Sequence, residues 1–406
     1  MAISRNANTA KGRFSPPLSV LVFVLLHGKG HHQNLLAKGG ASPAVVDWRI
    51  QGIWCSGSAE EGRGGPAGFR SESRRGYHPA RKARGRRRRR GQGAVVLRHA
   101  ACHYVALNSD GRCFSWGRNE KGQLGHGDTL LRNLPTVVSK LSKYNIIAAG
   151  VGRNHTVVVT DEGESFAFGD NKHGQLGMGS LRSGFTLQEL RCQPVPSLVT
   201  KATNAICGAN FNVWLSSVEG SSILTTGLPQ YGQLGHGSDN EYIANVSSVR
   251  LAYDPQPNPR AIVALSGKTV VKVACGTNHT VAVDSSGFVY TSGFGGYGRL
   301  GHNEQKDEWQ PRPVEIFQKN NILSPSDIIS AGSASSACTA SRGQLYMWGK
   351  LNNWGDECMY PKPVRDLSGW NIRCMASGSM HHIVCAHDSC ISWGLSEYGE
   401  FGYGPT

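Results

Sequence analysis

From residue 94 onward the chain is a succession of short apolar runs, each about five residues long, cut off by glycine. Phe166–Phe168 alternates large and small apolar positions, Thr156–Thr160 sets three valines between threonines, and glycine-rich stretches bound them. Alternation over so few residues predicts strands, not helices, and the intervening glycines predict tight turns with positive φ.

The runs recur in a fixed order. One unit holds Gly150, Gly152 and His155, then Phe166, Phe168 and Gly169, then Gly174, Leu176, Gly177 and Gly179. Another holds Gly276 and His279, then Tyr290 and Gly293, then Gly298, Leu300, Gly301 and His302. The glycine after the aromatic strand recurs as Gly117, Gly169, Gly227, Gly293, Gly349 and Gly394. This is an elastic period of roughly fifty residues, which four strands of about five residues and their turns would fill. A unit of that size is one propeller blade and is too long for a short-period solenoid. Leu124, Leu176, Leu234 and Leu300 stand at one point of each unit and read as packing between blades.

Composition adds a boundary. The 406 residues include 52 glycines and carry a net charge of +15. Residues 1–93 hold 18 Lys and Arg against 4 Asp and Glu, while 94–406 hold 25 against 24. The basicity therefore belongs to a tail, and a near-neutral body is poorly suited to tracking phosphates over its whole surface. Arg74, Arg75, Arg81, Arg84 and the run Arg86, Arg87, Arg88, Arg89 and Arg90 form its densest part. Such a block is expected to be disordered and to serve nuclear import or nucleic-acid binding, unless it is plain low-complexity sequence. Residues 1–49 and 58–93 are expected to lack a packed core.

Eleven cysteines occur without a CxxC pair, which points away from a zinc ribbon and toward reduced thiols in cytosol or nucleus. No stretch is long enough to cross a bilayer as a helix. The apolar run Ser19–Leu26 follows Arg5, Lys11 and Arg13 and keeps organelle targeting by residues 1–30 open.

Candidate chemistry dissolves on inspection. Gly293, Gly295 and Gly298 spell a dinucleotide fingerprint, but no helical pattern follows to receive a pyrophosphate. Ser266–Thr269 suggests a phosphate loop, yet Ile262 stands where its first glycine belongs. His126, His155, His236, His279 and His302 recur at repeat spacing and so would be spread around a ring as structural residues. His381 and His382 open a strand and face opposite ways. No cofactor, metal or catalytic centre is expected.

The Gly122–Gly127 motif, the Trp–Gly strand ends at Trp116, Trp348 and Trp393, and the segments Gly152–Thr156 and Gly276–Thr280 resemble the regulator-of-chromosome-condensation repeat. The resemblance covers residues 94–406. Gly293–His302 with Glu304–Glu308, Met359–Pro363 with Asp366–Trp370, and Pro229–His236 are most similar to the telophase-disc subgroup. The family implies seven blades. Six clear units are present, a weak remnant at 50–57 includes Trp54 and Gly57, and Gly404–Thr406 falls where a further unit would begin. The expected fold is all-β, a β-propeller of these repeats with six clear blades of an expected seven, C-terminally incomplete, behind a basic N-terminal region 1–93.

The resemblance also frames function. The founding family member promotes nucleotide exchange on the nuclear-transport GTPase and docks on nucleosomes, using an acid and a histidine beside the Gly-x-x-His turn. The matching slots here are Asn154, Asn210, Asn278 and Met380, none of them acidic. A plant ultraviolet-B receptor of this fold places Trp and Arg before His-Thr; Arg153–Asn154 and Thr277–Asn278 stand there instead. The expectation is a monomeric, non-enzymatic protein-interaction propeller in nucleus or cytoplasm, without a membrane partner. It would bind a small GTPase, chromatin or spindle components, and the alternative is a guanine-nucleotide exchange factor. Candidate contacts are Asn154, Asn210, Asn278 and His381. The stretch Asn245–Lys268 with Pro255, Pro257 and Pro259 is the candidate contact loop.

Overall fold

A computed structural model describes residues 51–52, 94–99, 102–181, 192–220, 222–238, 240–245, 250–351, 357–386 and 389–395. Arg86–Arg90 and the Ser19–Leu26 run lie outside them. The described chain forms six blade sheets with their strands in sequence order, antiparallel throughout except that β1 pairs parallel with β2 in the first. In the first, β1 (Gln51–Gly52) joins β2 (Ala94–His99), β3 (His103–Asn108), β4 (Cys113–Gly117) and β5 (Arg132–Val137). The second holds β6 (Ile146–Val151), β7 (His155–Thr160), β8 (Ser165–Gly169) and β9 (Val195–Pro196). The third holds β10 (Ala202–Cys207), β11 (Phe211–Ser216) and β12 (Ile223–Gly227). A separate hairpin of β13 (Glu241–Asn245) and β14 (Arg250–Tyr253) follows, before β15 (Gln256–Ala261) completes that blade.

The fourth blade is β16 (Val270–Cys275), β17 (His279–Asp284), β18 (Val289–Gly293) and β19 (Glu308–Pro313). The fifth is β20 (Ile329–Ala331), β21 (Ser335–Ala340), β22 (Gln344–Gly349) and β23 (Cys358–Pro363). The sixth has three described strands, β24 (Cys374–Ser377), β25 (His381–Cys385) and β26 (Cys390–Gly394). Inner strands touch their neighbours in the order β2, β6, β10, β16, β20, β24, and β1 touches both β24 and β2, completing the circuit.

The core lies between blades. Val157 and Val159 join Trp214, Cys207 and Ala205 of the third blade, while Val158 between them joins Val105, Leu107 and Cys113 of the first. Val281 and Val283 likewise pack toward the fifth blade and Ala282 toward the third. The second strand of a blade is thus apolar on both faces, because each face meets a different neighbour. Leu176 and Leu234 sit in these inter-blade clusters, as the repeat reading anticipates.

The stretch containing the three prolines differs from the expected loop. Pro257 and Pro259 lie within β15, the outer strand of its sheet, where an edge position tolerates a missing N–H. Pro257 lies against Gly174 of the second blade, where a Cβ would come within 2.6 Å of its Cα. Pro255 immediately precedes the strand. The cysteines differ too. Cys113, Cys192, Cys207, Cys275 and Cys338 are buried thiols, but Cys385 and Cys390 are joined as a disulfide across the β25–β26 hairpin.

Candidate protein-interaction face

Because neighbouring strands of a blade are antiparallel, the turn between its first and second strands and the loop between its third and fourth leave on the same face. The recurring glycine joins the two. Gly117, Gly227 and Gly293 have φ of 106°, 117° and 111°, and a Cβ on any of them would lie 2.5 Å from the carbonyl oxygen of Cys102, Asn210 or Asn278. Gly169 and Gly394 approach Asn154 and Met380 at least as closely. Those carbonyls accept hydrogen bonds from the residue after the glycine: Asp170 to Asn154, Leu228 to Asn210 and Phe294 to Asn278. Asn154, Asn210 and Asn278 therefore occupy one slot per blade, half-buried around the channel mouth and not gathered into one site. His381 opens β25, also half-buried, with buried His382 beside it.

The turns are tied to one another around this mouth. Arg153 donates its N–H to the Ala209 carbonyl at 3.0 Å, Ala209 to Thr277 at 3.1 Å, and Ser333 to Gly378 at 3.1 Å. The Thr277 hydroxyl donates to Ser333 Oγ at 3.0 Å. Gly332 permits this approach, since a Cβ there would stand 2.7 Å from the Gly378 carbonyl oxygen.

Above the fourth and fifth blades the same face carries aromatic and cationic side chains. Arg299 stands where the first three units have Gln123, Gln175 and Gln233 and is buried at 4% exposure. Its Nε donates to the Gly296 carbonyl at 2.8 Å and its Nη1 to Ser333. The guanidinium lies 4.6 Å from the Phe294 ring centre and 5.5 Å from that of Tyr297. Tyr231 packs on Phe294, and the Lys350 ammonium lies 4.9 Å from the Tyr297 ring centre. Burial brings Arg299 down to about 10, which leaves it a cation at neutral pH. The departure from glutamine at a repeat position was the available sequence signal for this cluster.

The repeat histidines are used inside the fold. His126, His236 and His302 hydrogen-bond to Ser115, Thr225 and Thr291 in the third strand of their own blades, at 3.0, 2.8 and 2.8 Å. His155 and His279 reach into the next blade, to Asn212 Oδ1 at 2.7 Å and Ser336 Oγ at 2.9 Å. Burial lowers His155, His236 and His302 to about 4 and His279 and His382 to about 3, so they are neutral at pH 7. Gly293–Gly298 continues into a single 3-10 turn over Gly296–Gly298, not into a helix that would receive a pyrophosphate.

A cavity of about 370 Å³ lies between the fourth and fifth blades beside His302, Asn303, Arg312 and Tyr360. Arg312 is engaged there by Glu304 and Glu308.

Residues 20–355 match the family model described as the RCC1-like domain. The chain belongs to the RCC1-like domain family. The match begins inside the basic N-terminal stretch. Among curated relatives, Protein RCC2 of Homo sapiens is 42% identical over 327 residues, covering 76% of this chain and 60% of its own length. The chain thus spans about 60% of the relative it matches. Among solved structures, Prp20p of Saccharomyces cerevisiae, described with its binding properties to Gsp1p and histones, superposes with a TM-score of 0.57 at 21% identity, over 76% of this chain and 70% of its own. Kap60-bound yeast RCC1 (Prp20) gives 0.56 at 20% identity, over 75% and 67%. These two show that the RCC1-like domain here has the propeller fold.

Proposed function

We propose that this RCC1-like chain is a non-enzymatic interaction protein that binds a globular partner, a small GTPase or a chromatin or spindle component, through the face described above. The observation that carries the reading is the cluster of Tyr231, Phe294, Tyr297, Arg299 and Lys350. Tyrosine is prominent in the binding energy of protein interfaces, and here exposed Tyr297 and half-buried Tyr231 and Phe294 are set around buried Arg299, whose backbone bonds and ring contacts fix the cluster before any partner arrives. The hairpin β13–β14, with exposed Tyr242, leaves the third blade on the same face and widens it. The described binding of Prp20p to Gsp1p and histones supports both partner classes.

The basic block Arg86–Arg90 would serve nuclear entry and contact with nucleic acid. A solved complex of yeast RCC1 with Kap60 supports a transport role for this family.

The test is direct binding of the full chain to a panel of small GTPases, nucleosomes and microtubules. Tyr297→Ala with Lys350→Ala should weaken binding at least tenfold while leaving the thermal midpoint nearly unchanged, whereas equal binding by this variant would refute the face. Labelled-nucleotide release, run with the same GTPases, separates simple binding from exchange. The slots Cys102, Asn154, Asn210, Asn278, Ala334 and Met380 carry no carboxylate, which favours binding without acceleration.

A further inference from the structure

Three cysteines stand in one row across the sixth blade. Cys374 of β24 lies directly opposite Cys385 of β25, and Cys385 lies directly opposite Cys390 of β26. Residues directly opposite on antiparallel strands point to the same face, with Cα atoms about 4.5–5.5 Å apart. All three join one small cluster beside Ile383. Cys385 and Cys390 are disulfide-bonded with Cα atoms 4.2 Å apart, while Cys374 is a free, half-buried thiol on the other side of Cys385.

We propose that Cys374, Cys385 and Cys390 form one thiol–disulfide site in which Cys385, the central sulfur, exchanges its partner between Cys390 and Cys374. Cys390 lies at the short end of the Cα separations that disulfides span, and the spacing of about 4.5–5.5 Å general to directly opposed strand residues puts Cys374 inside that span. The step conserves electrons. Cys374 loses its proton to solvent and its thiolate attacks Sγ of Cys385. The Cys374–Cys385 bond forms as the Cys385–Cys390 bond breaks, and Cys390 leaves as a thiolate that takes a proton from water. Closing the site from three thiols needs a two-electron oxidant, for which glutathione disulfide suffices, being reduced to two glutathione thiols. Burial pushes the Cys374 thiol up, so the attacking thiolate is scarce at neutral pH and exchange quickens as pH rises.

The two bridges hold different things. Cys385–Cys390 closes only the β25–β26 hairpin, with five residues of separation. Cys374–Cys385 would fasten β24, the inner strand that touches β20 of the fifth blade, to the body of its sheet. A redox signal would therefore reach the contact between the fifth and sixth blades. In the reducing compartments suggested by the cysteine spacing, a bridge of this kind is transient, as redox-responsive disulfides are.

The full chain, oxidised in a glutathione buffer at pH 8 and quenched with acid, can be cleaved after Met380 and before Asp388, which separates the three cysteines onto three peptides. Mass spectrometry should find Cys385 linked to Cys390 in one population and to Cys374 in another, with interconversion about tenfold slower at pH 7. Cys390→Ala should show Cys374–Cys385 as its bridge, and Cys374→Ala should retain Cys385–Cys390. A single bridge of either kind in the unmodified chain, or three alkylated thiols after oxidation, would overturn the proposal. That readout depends on no variant's folding.

Discussion

Met178 packs against the cluster that holds Ala167, and these two occupy the positions at which three other blades set a histidine against a hydroxyl. His126 meets Ser115, His236 meets Thr225 and His302 meets Thr291, while in the second blade both partners are apolar together and pack in one cluster. An imidazole nitrogen placed here needs the hydroxyl, which itself donates to the carbonyl of Leu124, Leu234 or Leu300. Met178→His alone should lower stability by about 1–3 kcal/mol, the range for a buried polar group without a partner. Adding Ala167→Thr should recover much of that loss, a coupling of about 0.5–3 kcal/mol. Urea unfolding of the two single variants and the double variant measures it, and strict additivity would show that the two positions do not communicate.

The buried histidines fix the direction of the pH response. Their folded values, about 4 for His155, His236 and His302 and about 3 for His279 and His382, lie below the ordinary 6.5. The unfolded chain therefore binds more protons between these limits. Stability is full above about pH 6.5 and falls as the pH drops through 4 toward 3. Each histidine contributes a slope of about 1.4 kcal/mol per pH unit within its own window. Thermal midpoints should stay flat from pH 8 to about 6.5 and decline from there toward pH 4, and His279→Gln should make the decline shallower.

Glycines at positive φ are not equivalent. Gly293 has φ of 111° and a Cβ would lie 2.5 Å from the Asn278 carbonyl oxygen, whereas Gly267 has φ of 76° and nothing within 4 Å. Gly267→Ala should lose about 1 kcal/mol from backbone strain alone. Gly293→Ala should lose several times more, because the turn that it meets is bonded to its neighbours. Equal midpoint shifts in a denaturant titration would contradict the close approach.

Location tests the N-terminal block. Alanine in place of Arg86–Arg90 should move a tagged chain from nucleus toward cytoplasm without altering its unfolding midpoint. Nucleic-acid binding by the unmodified chain should weaken steeply with salt, as counterion release requires. A reporter fused to residues 1–40 alone addresses the rival reading. Its entry into an organelle would reverse the assignment to the nucleus.

Much of this architecture was legible because the repeat exposes it. Gly117, Gly169, Gly227, Gly293, Gly349 and Gly394 read as turn formers at one point of each unit, and each ends the third strand of a blade. Leu176 and Leu234 read as inter-blade packing, where the structure places them. What could not be read is what depends on the neighbour. The bond from His155 to Asn212 spans 57 residues and has no local pattern. The proline-rich stretch looked like a loop because proline opposes a central strand, yet β15 is an outer strand where that objection lapses. Among the candidates for contact, Arg299 was hidden inside a motif dominated by its glycines. The three cysteines fall into a row only once β24, β25 and β26 pair.

The bonds that His155 and His279 send forward have a consequence for how such a molecule changes over generations. The residue that receives one of them, Asn212 or Ser336, passes a second bond back to the preceding blade's loop, at Gln175 or Arg299. A blade that holds a sending histidine at one position and a receiving side chain at the next carries both halves of a head-to-tail joint. A duplicated blade would arrive already able to link at either side, and a deleted one would leave two compatible ends behind. The joint thus specifies succession and says nothing of number; the count of blades is left to the wedge shape of each and to the angle at which the circle closes.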